Sequence, residues 1–306
     1  MKELRAVYVE QLSKAMEQDS SILVLDADLA KAHATIGLRK TFPERCIEMG
    51  VAEQNMAGVA AGLASYGYQP YIHSFGTFAS RRICDQIAIS VCYAGSNVKI
   101  VGSDPGVGAE LNGGTHMAME DIGVLRSIPG LVIYEPADEI QLTKAMPQII
   151  AHKGPVYIRL FRKAVEPVFD ESYTFDLFRA DVMKRGGDVT IFASGIMVQE
   201  AVKACVLMEA QGIHAELVNV HTIKPIDRET VLAGAKKTGR VVTCENHNVI
   251  GGLYSAVAET LCGQVDLKIA KIGFQDHFGE VGKMADLMAK FHMTAEDICD
   301  AAKGLL

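Results

Sequence analysis

Apolar residues recur along the chain with two alternating spacings, and this alternation predicts an α/β fold. The first spacing is helical, because apolar side chains fall three or four positions apart at Leu4, Val7, Tyr8, Leu12 and Ala15. The second is the short apolar run typical of a buried strand, found in the first half of the chain at residues 21–26, 46–49, 69–74, 98–102, 131–134 and 155–159. Strands that alternate with helices predict doubly wound domains, each with a mostly parallel sheet covered on both faces.

The helices predicted between these strands begin at recognisable signals. Gly50 permits a tight turn after the second strand, and Glu53 then begins an apolar helix that reaches about residue 65. Further helices are predicted over residues 77–94 and 119–127. Asp138 is placed to cap a helix that ends near residue 152.

An irregular stretch divides this pattern into two parts. The periodicity is lost after residue 162, and the pair Gly186-Gly187 closes the irregular stretch. We therefore expect a first domain over 1–165, a linker over 166–187 and a smaller second domain over 188–306. The second domain repeats the pattern, with predicted strands at 189–193, 214–219, 240–244 and 267–272, helices that begin near Met197, Asp227 and Gly251, and Thr294 as the cap of a final helix.

Composition and charge exclude several classes of protein. Of the 306 residues, 49% are hydrophobic and 22% are charged, which is ordinary for a globular α/β protein. Acids and bases are interspersed at a net charge of −7, so no basic face favours nucleic acid or an anionic membrane. No run approaches the roughly 18 apolar residues of a membrane span, and the N-terminus has no apolar signal core.

The cysteines indicate the compartment. They are seven in number, scattered, and never spaced as CxxC. This pattern argues against a disulfide framework and against a zinc site, so we expect no metal bound by this chain itself. It favours reduced thiols and therefore a cytoplasmic location.

A carboxylate at the start of the second long helix is the first candidate for chemistry. Glu53 should face unpaired backbone N–H groups and the positive end of the helix dipole. Taken alone, it is most simply an ordinary first-turn carboxylate. A catalytic interpretation requires that other stretches converge on it.

Three separated motifs supply that convergence. They are GVAEQNM at residues 50–56, SFGTFASRRICDQI at 74–87 and GGTHMAMEDIGVLRSIPG at 113–130. By their order and spacing, the chain resembles the C-terminal half of transketolases from residue 3 to residue 300. The resemblance implies a pyrimidine-binding domain followed by a smaller C-terminal domain, thiamine diphosphate as the cofactor, and transfer of a two-carbon ketol unit between sugars.

The resemblance also implies roles on the cofactor side. Glu53 matches the carboxylic acid that hydrogen-bonds the pyrimidine N1′ and favours the imino tautomer at the 4′ position. Phe75 and Phe78 match aromatic residues of the aminopyrimidine pocket, although two aromatics three positions apart are more often plain core residues. Arg81, one turn further on, is either a helper at the pyrimidine edge or a surface cation.

Two more candidates follow strands. Asp26 and Asp28 end the first strand, where α/β proteins commonly place ligands, and the resemblance implies that Asp28 lies beside the cofactor rather than only terminating the strand. His116 follows a glycine-rich loop and resembles the histidine that contacts the donor's ketol hydroxyls and shuttles protons, although a lone histidine is more often structural. The loop lacks the register of a dinucleotide-binding G-x-G-x-x-G motif, so we reject a Rossmann interpretation.

The substrate side departs from ordinary transketolases. Arg5 and Arg162 match the arginines that grip the distal phosphate of the sugar, a role suited to the guanidinium fork, and Arg159 is a weaker candidate. The departures are Ala32 in place of a phosphate-binding serine, Asp104 in place of a substrate histidine and Asn112 in place of an aspartate. We therefore expect an anionic sugar substrate and a specialised transketolase that handles, for instance, a branched or sulfonated ketose.

A missing motif predicts a partner chain. Transketolases bind the diphosphate through Mg²⁺ held by a GDG…N segment of their N-terminal half, and no GDG occurs here. The resemblance therefore implies the C-terminal subunit of a split transketolase. The partner would be an N-terminal subunit that carries the GDG motif and holds Mg²⁺ or Ca²⁺, and two such pairs would form an α2β2 heterotetramer.

Three rival interpretations remain at this point. The beta subunit of a 2-oxo acid dehydrogenase shares both domains and a similar acidic motif. 1-Deoxyxylulose-5-phosphate synthase is a close cousin in sequence but is normally one long chain. A non-catalytic transketolase-like subunit is the third, and the joint presence of Glu53, Phe75, Phe78 and His116 argues against it.

Overall fold

The computed structural model describes residues 1–306 and contains two mostly parallel sheets. The strands are β1 Ile22–Asp26, β2 Cys46–Glu48, β3 Gln69–Phe75, β4 Lys99–Ser103, β5 Val132–Tyr134, β6 Val156–Leu160, β7 Asp181–Lys184, β8 Val189–Ala193, β9 Ala215–Asn219, β10 Thr222–Lys224, β11 Arg240–Asn248 and β12 Lys268–Phe274. The helices are α1 Leu4–Gln18, α2 Ile36–Thr41, α3 Glu53–Ser65, α4 Asp121–Arg126, α5 Glu139–Ala151, α6 Met197–Glu209, α7 Arg228–Thr238, α8 Leu253–Leu261, α9 Met284–Lys290 and α10 Ala295–Lys303. The predicted α/β architecture is confirmed.

The first sheet has seven strands in the order β10-β5-β6-β4-β3-β1-β2. All neighbours are parallel except β10, which pairs antiparallel with β5. Every residue of β1, β4, β5 and β6 is buried, because helices cover both faces of the sheet, and this is why these strands are continuous apolar runs in the sequence. From β1 the chain runs outward to β2 and then returns to β3 on the other side. The carboxyl ends of β1, β3 and β4 therefore meet at one edge, where such sheets bind ligands.

The second sheet has five strands in the order β12-β11-β8-β9-β7. Its strands are parallel except for β7, which pairs antiparallel with β9 at the edge. The sequence does not predict β7, which lies within 166–187. Each of its residues is only half-buried, so it has no apolar run to reveal it.

Two predicted caps are confirmed by their hydrogen bonds. The Asp138 carboxylate accepts from the Gln141 backbone N–H at 2.8 Å and begins α5. Thr294 and Asp297 form a reciprocal capping box at the start of α10. These local signals are reliable because both partners lie within one turn of the helix.

The predicted helix over 77–94 is wrong in its first turns. After β3 the chain makes a non-helical turn, then a 3₁₀ turn over Arg81–Ile83, and only then a helix that is π-wound over Gln86–Tyr93. The backbone leaves the helical region at Ser80, with φ −124° and ψ −88°. The preceding turn is tied to the end of β4, because the Gly76 N–H donates to the Ser103 carbonyl at 2.7 Å. A Cβ at Gly76 would lie 2.8 Å from the Ala118 Cβ, so the close approach requires glycine.

A buried ionic network joins the two parts of the chain. Arg159, in β6, is fully buried and donates to Asp121 at 2.9 Å and to Glu135 at 2.6 Å. It also donates at 2.8 Å to the carbonyl of Asn246, which lies in β11 of the second sheet. Arg159 is thus a structural residue at the junction of the two sheets.

Three further observations concern compartment and ligands. No helix combines the length and the apolar character needed to cross a bilayer. All seven cysteines have free thiols. The chain has no group of three or more His, Cys, Asp or Glu side chains arranged to hold a metal ion.

Candidate active site

Glu53 is the first residue of α3 and lies at the carboxyl edge of the first sheet. Gly50 has a φ of 71°, which glycine adopts without strain and which turns the chain from β2 into α3 within a few residues. The Glu53 side chain is only 3% exposed. Its Oε1 accepts from the Ser74 hydroxyl at 3.2 Å, and both of its oxygens accept from Arg82 Nη1 at 2.9 Å.

Three rings form a cluster beside this carboxylate. The Phe75 and Phe78 centroids are 6.3 Å apart, and the His116 ring lies 5.6 Å from Phe75 and 5.3 Å from Phe78, all edge to face. The guanidinium of Arg82 lies 3.8 Å from the centroid of Phe78. Through Arg82, the ring cluster and Glu53 form one continuous site, so the structure brings together four residues that the sequence predicts.

A cavity of about 340 Å³ opens beside the carboxylate. It is lined by the start of α3 and by one cation: Val51, Ala52, Glu53, Gln54, Asn55 and Arg82. Val51 is 73% exposed, and Gln54 and Asn55 are exposed as well. This wall of the site therefore faces outward.

Arg82, rather than Arg81, contacts Glu53. Arg81 Nη1 instead donates to Glu120 at 2.7 Å. Sequence reasoning missed Arg82 because an unbroken helix from residue 77 would place Arg81 one turn after Phe78. The 3₁₀ turn has fewer residues per turn than an α-helix, so it changes which of the two arginine side chains points toward the site.

The predicted substrate residues Arg5, Arg162 and Asp104 also meet. Arg5 Nη1 and Arg162 Nη1 both donate to the carbonyl oxygen of Ala32, at 3.0 Å and 3.2 Å. Arg162 Nη2 forms an ion pair with the Asp104 carboxylate. The Arg162 guanidinium lies 5.2 Å from the Phe75 ring, so this group adjoins the ring cluster.

Asp28 and Asn112 lie at the rim. Asp28 follows β1 with a φ of 59°, its side chain is exposed, and its backbone N–H donates to Glu48 at 2.7 Å. Asn112 is exposed at the end of a 3₁₀ segment, Gly106–Asn112, which begins the glycine-rich loop. The structure places neither side chain against Glu53.

His33 is a buried residue near the site that sequence reasoning missed. Its Nδ1 lies 3.0 Å from the Leu29 carbonyl oxygen, which can only accept a hydrogen bond. Nδ1 therefore carries the ring hydrogen, and Nε2 carries an unprotonated lone pair. Nε2 is buried without a hydrogen-bond partner, and the ring centroid lies 6.4 Å from that of Phe75. Burial lowers the pKa of His33 to about 4, so the ring is neutral at pH 7. The only indication of a role for His33 in the sequence is that it directly follows Ala32, one of the substrate-side departures.

Two family profiles together match most of the chain. The first, described as "Transketolase, pyrimidine binding domain", matches residues 1–167, and the second, "Transketolase, C-terminal domain", matches residues 179–298. The chain belongs to the transketolase family. The match places Glu53, the ring cluster and the paired arginines in the pyrimidine-binding domain, and it favours transketolase over the rival 2-oxo acid dehydrogenase beta subunit.

Individual relatives agree with this assignment. The 6-deoxy-6-sulfo-D-fructose transketolase subunit SqwH of Clostridium sp. (strain MSTE9) is 53% identical over 98% of this chain and 93% of its own length. One subunit of the apulose-4-phosphate transketolase of Phocaeicola vulgatus is 33% identical over 97% of this chain and 94% of its own length. A solved structure described as "Split gene transketolase, inactive beta4 tetramer" is 41% identical, with a TM-score of 0.90, over 100% of this chain and 98% of that one. This transketolase chain thus corresponds to the C-terminal part of a split enzyme.

The site fits the pyrimidine end of thiamine diphosphate, on which the transketolase family depends. A flat, nitrogen-rich ring needs a carboxyl group at its edge and an aromatic surface against its face. Arg82 shows that both are present, because its planar guanidinium hydrogen-bonds Glu53 and stacks on Phe78 at the same time.

Proposed function

We propose that this subunit acts with a partner chain to transfer a two-carbon ketol unit from an anionic ketose to an acceptor sugar, with 6-deoxy-6-sulfofructose as the donor. The supporting observation is the buried Glu53 carboxylate at the start of α3, set against Phe75, Phe78 and His116. The sulfonated donor is supported by the 53% identical relative, which is named for that sugar.

Each side chain of the site has a defined task in this proposal. When bound, the cofactor supplies the nucleophilic carbon that accepts the ketol unit. Glu53 would hydrogen-bond the pyrimidine N1′ of the bound cofactor and exchange a proton with it. Phe75 and Phe78 exclude water from the ring face. His116, whose ring touches both, exchanges protons with the hydroxyls of the ketol unit.

The distal end of the substrate is bound by the arginines. Arg5 and Arg162 converge on the Ala32 carbonyl next to Phe75 and present donors to an anionic tail. Asp28 and Arg81 are proposed at the cofactor rim, and Asn112 at the substrate rim.

The open wall of the cavity supports a partner subunit. Exposed apolar side chains lie on this side of the first domain, at Val51 before α3 and at Ile89 and Tyr93 of the π-wound helix that contacts α3. We propose that an N-terminal subunit with the GDG motif covers this surface, holds Mg²⁺ or Ca²⁺ with the diphosphate, and forms an α2β2 heterotetramer. The free thiols support a cytoplasmic location.

The purified chain, alone and mixed with its N-terminal partner, tests this proposal. Ketol transfer from 6-deoxy-6-sulfofructose should appear only in the mixture, with added thiamine diphosphate and Mg²⁺. Analytical ultracentrifugation should show a heterotetramer in the mixture. Turnover by the single chain would contradict the need for a partner, and failure of the mixture on every ketose would contradict the activity.

A further inference from the structure

Two arginines from distant parts of the chain converge on one oxygen atom. Arg5 belongs to α1 and Arg162 follows β6, yet both donate to the Ala32 carbonyl. Like charges held this close repel each other unless an anion lies between or beside them. The donors of the two guanidinium groups suit an anionic group, and the net charge of the arginines with the carboxylates beside them decides which anion fits.

A buried carboxylate offsets one of the two charges. The Asp104 side chain is 3% exposed and forms an ion pair with Arg162. Asp104 has a φ of 51°, a conformation that few residues other than glycine adopt. Its backbone N–H donates to the Leu160 carbonyl at 3.1 Å, which holds the turn at the end of β4. Because the Asp104 carboxylate is buried and the Arg162 side chain is only 18% exposed, the field of this ion pair is screened less than that of a surface pair.

The other charges nearby have weaker effects. Glu3 accepts from Arg5 Nε at 2.7 Å, but its side chain is 46% exposed and is screened by solvent. Lys163 is paired with Glu110, so these two charges offset each other. His33 is neutral, as its buried environment requires. The charge of Arg5 is thus opposed only by the exposed carboxylate of Glu3, and the subsite keeps an effective charge of about one.

We propose that Asp104 sets the charge of this subsite so that it selects a singly charged sulfonate tail over a doubly charged phosphate tail. A phosphate monoester carries about −1.5 to −2 charges at pH 7, because its second pKa is about 6. A sulfonate carries a single charge throughout the physiological range. The subsite, with one effective positive charge, matches the sulfonate and leaves the second phosphate charge facing Asp104. This inference rests on the proposed transketolase activity.

The holoenzyme, reconstituted with its partner subunit, tests the selection with two donors. The ratio of kcat/KM for 6-deoxy-6-sulfofructose to that for fructose 6-phosphate should be at least about tenfold for the wild type. In Asp104→Asn the ratio should fall by about 10- to 100-fold, mainly through a lower KM for the phosphate. Asparagine tolerates positive φ, so the turn is preserved, and thermal unfolding of each variant checks the fold.

The pH dependence of this kcat/KM ratio distinguishes an effect of the Asp104 charge from a purely structural effect. In the wild type, the ratio should rise between about pH 5.5 and pH 7.5, because only the phosphate gains a second charge in this range. In Asp104→Asn the rise should be largely lost. The rise in the wild type tests the selection against the doubly charged phosphate, and its loss in Asp104→Asn or Asp104→His tests the role of Asp104.

A matched control separates burial from charge. Glu3→Gln removes an acid from the same subsite, but an exposed one, and should change the ratio by less than about threefold. A second variant, Asp104→His, should shift the ratio in the same direction as Asp104→Asn. A wild-type ratio near unity, a flat wild-type profile, or an unchanged preference in both Asp104 variants would overturn the inference while leaving the proposed activity intact. A holoenzyme inactive on every ketose would instead overturn the proposed function.

Discussion

Arg82 Nη1 lies 2.9 Å from both carboxylate oxygens of Glu53. Both oxygens are thus occupied by a side chain that also covers the face of Phe78. A pyrimidine ring that bonds Glu53 and stacks on Phe78 must displace this guanidinium. Arg82 is 40% exposed, so the movement requires no change in the core.

Replacing Arg82 should strengthen cofactor binding. In Arg82→Gln the competing guanidinium is gone. The Kd of thiamine diphosphate for the cofactor-free complex of both subunits should fall by about 2- to 5-fold, which corresponds to the free energy of a partly exposed ion pair. Isothermal titration calorimetry measures it. Arg179→Gln, which removes an exposed arginine just before β7, is the control. A higher Kd in Arg82→Gln would instead show that Arg82 binds the cofactor.

Replacing Glu53 should abolish most of the activity without unfolding the protein. In Glu53→Gln the side chain keeps its shape but no longer exchanges a proton at N1′, so kcat of the holoenzyme should fall by about 10²–10⁴-fold. Steady-state kinetics measures kcat, and circular dichroism checks the fold. Glu44→Gln, at an exposed position before β2, should retain the wild-type rate. Near-normal turnover of Glu53→Gln would support a non-catalytic subunit.

Replacing Arg159 should destabilise the junction between the sheets. Arg159→Met leaves Asp121 and Glu135 buried without their cationic partner, and the free energy of unfolding should fall by about 3–5 kcal/mol. Urea unfolding measures the change. The exposed Arg185→Met should stay within about 0.5 kcal/mol of the wild type. A loss below about 1 kcal/mol in Arg159→Met would show that the network contributes little.

Glu245 should make stability depend on pH. Burial raises the pKa of this carboxyl to about 8, against the backbone N–H groups of Leu253 and Tyr254 that lower it. The folded protein binds this proton more tightly than the unfolded chain, so the stabilising contribution is full below pH 4.5 and is lost as the pH rises to about 8. The free energy of unfolding should therefore fall, relative to Glu245→Gln, by up to about 1.4 kcal/mol per pH unit in this window.

Urea unfolding of both proteins at several pH values tests this difference. Other buried groups titrate in the same range, but they are shared by the two proteins and cancel in the comparison. Parallel stability curves would show that Glu245 has an ordinary pKa in the folded state.

Part of the site could be predicted from the sequence alone. The strand runs, the caps at Asp138 and Thr294, and the start of α3 at Glu53 depend on residues within one or two turns of each other. The pattern of residues is sufficient for such features, because the interacting groups are neighbours along the chain. The family motifs also predicted the ring cluster of Phe75, Phe78 and His116, and the structure brings these three rings together.

Only the tertiary structure decided the remaining parts of the site. The non-helical backbone at Ser80 interrupts the helix predicted over 77–94, and Arg82 instead of Arg81 contacts Glu53. The pairing of Asp104 with Arg162 joins residues that follow neighbouring strands. Helical and strand periodicity describes contacts along one element. These contacts arise where the ends of separate strands meet, and the order of strands in the folded sheet determines which ends those are.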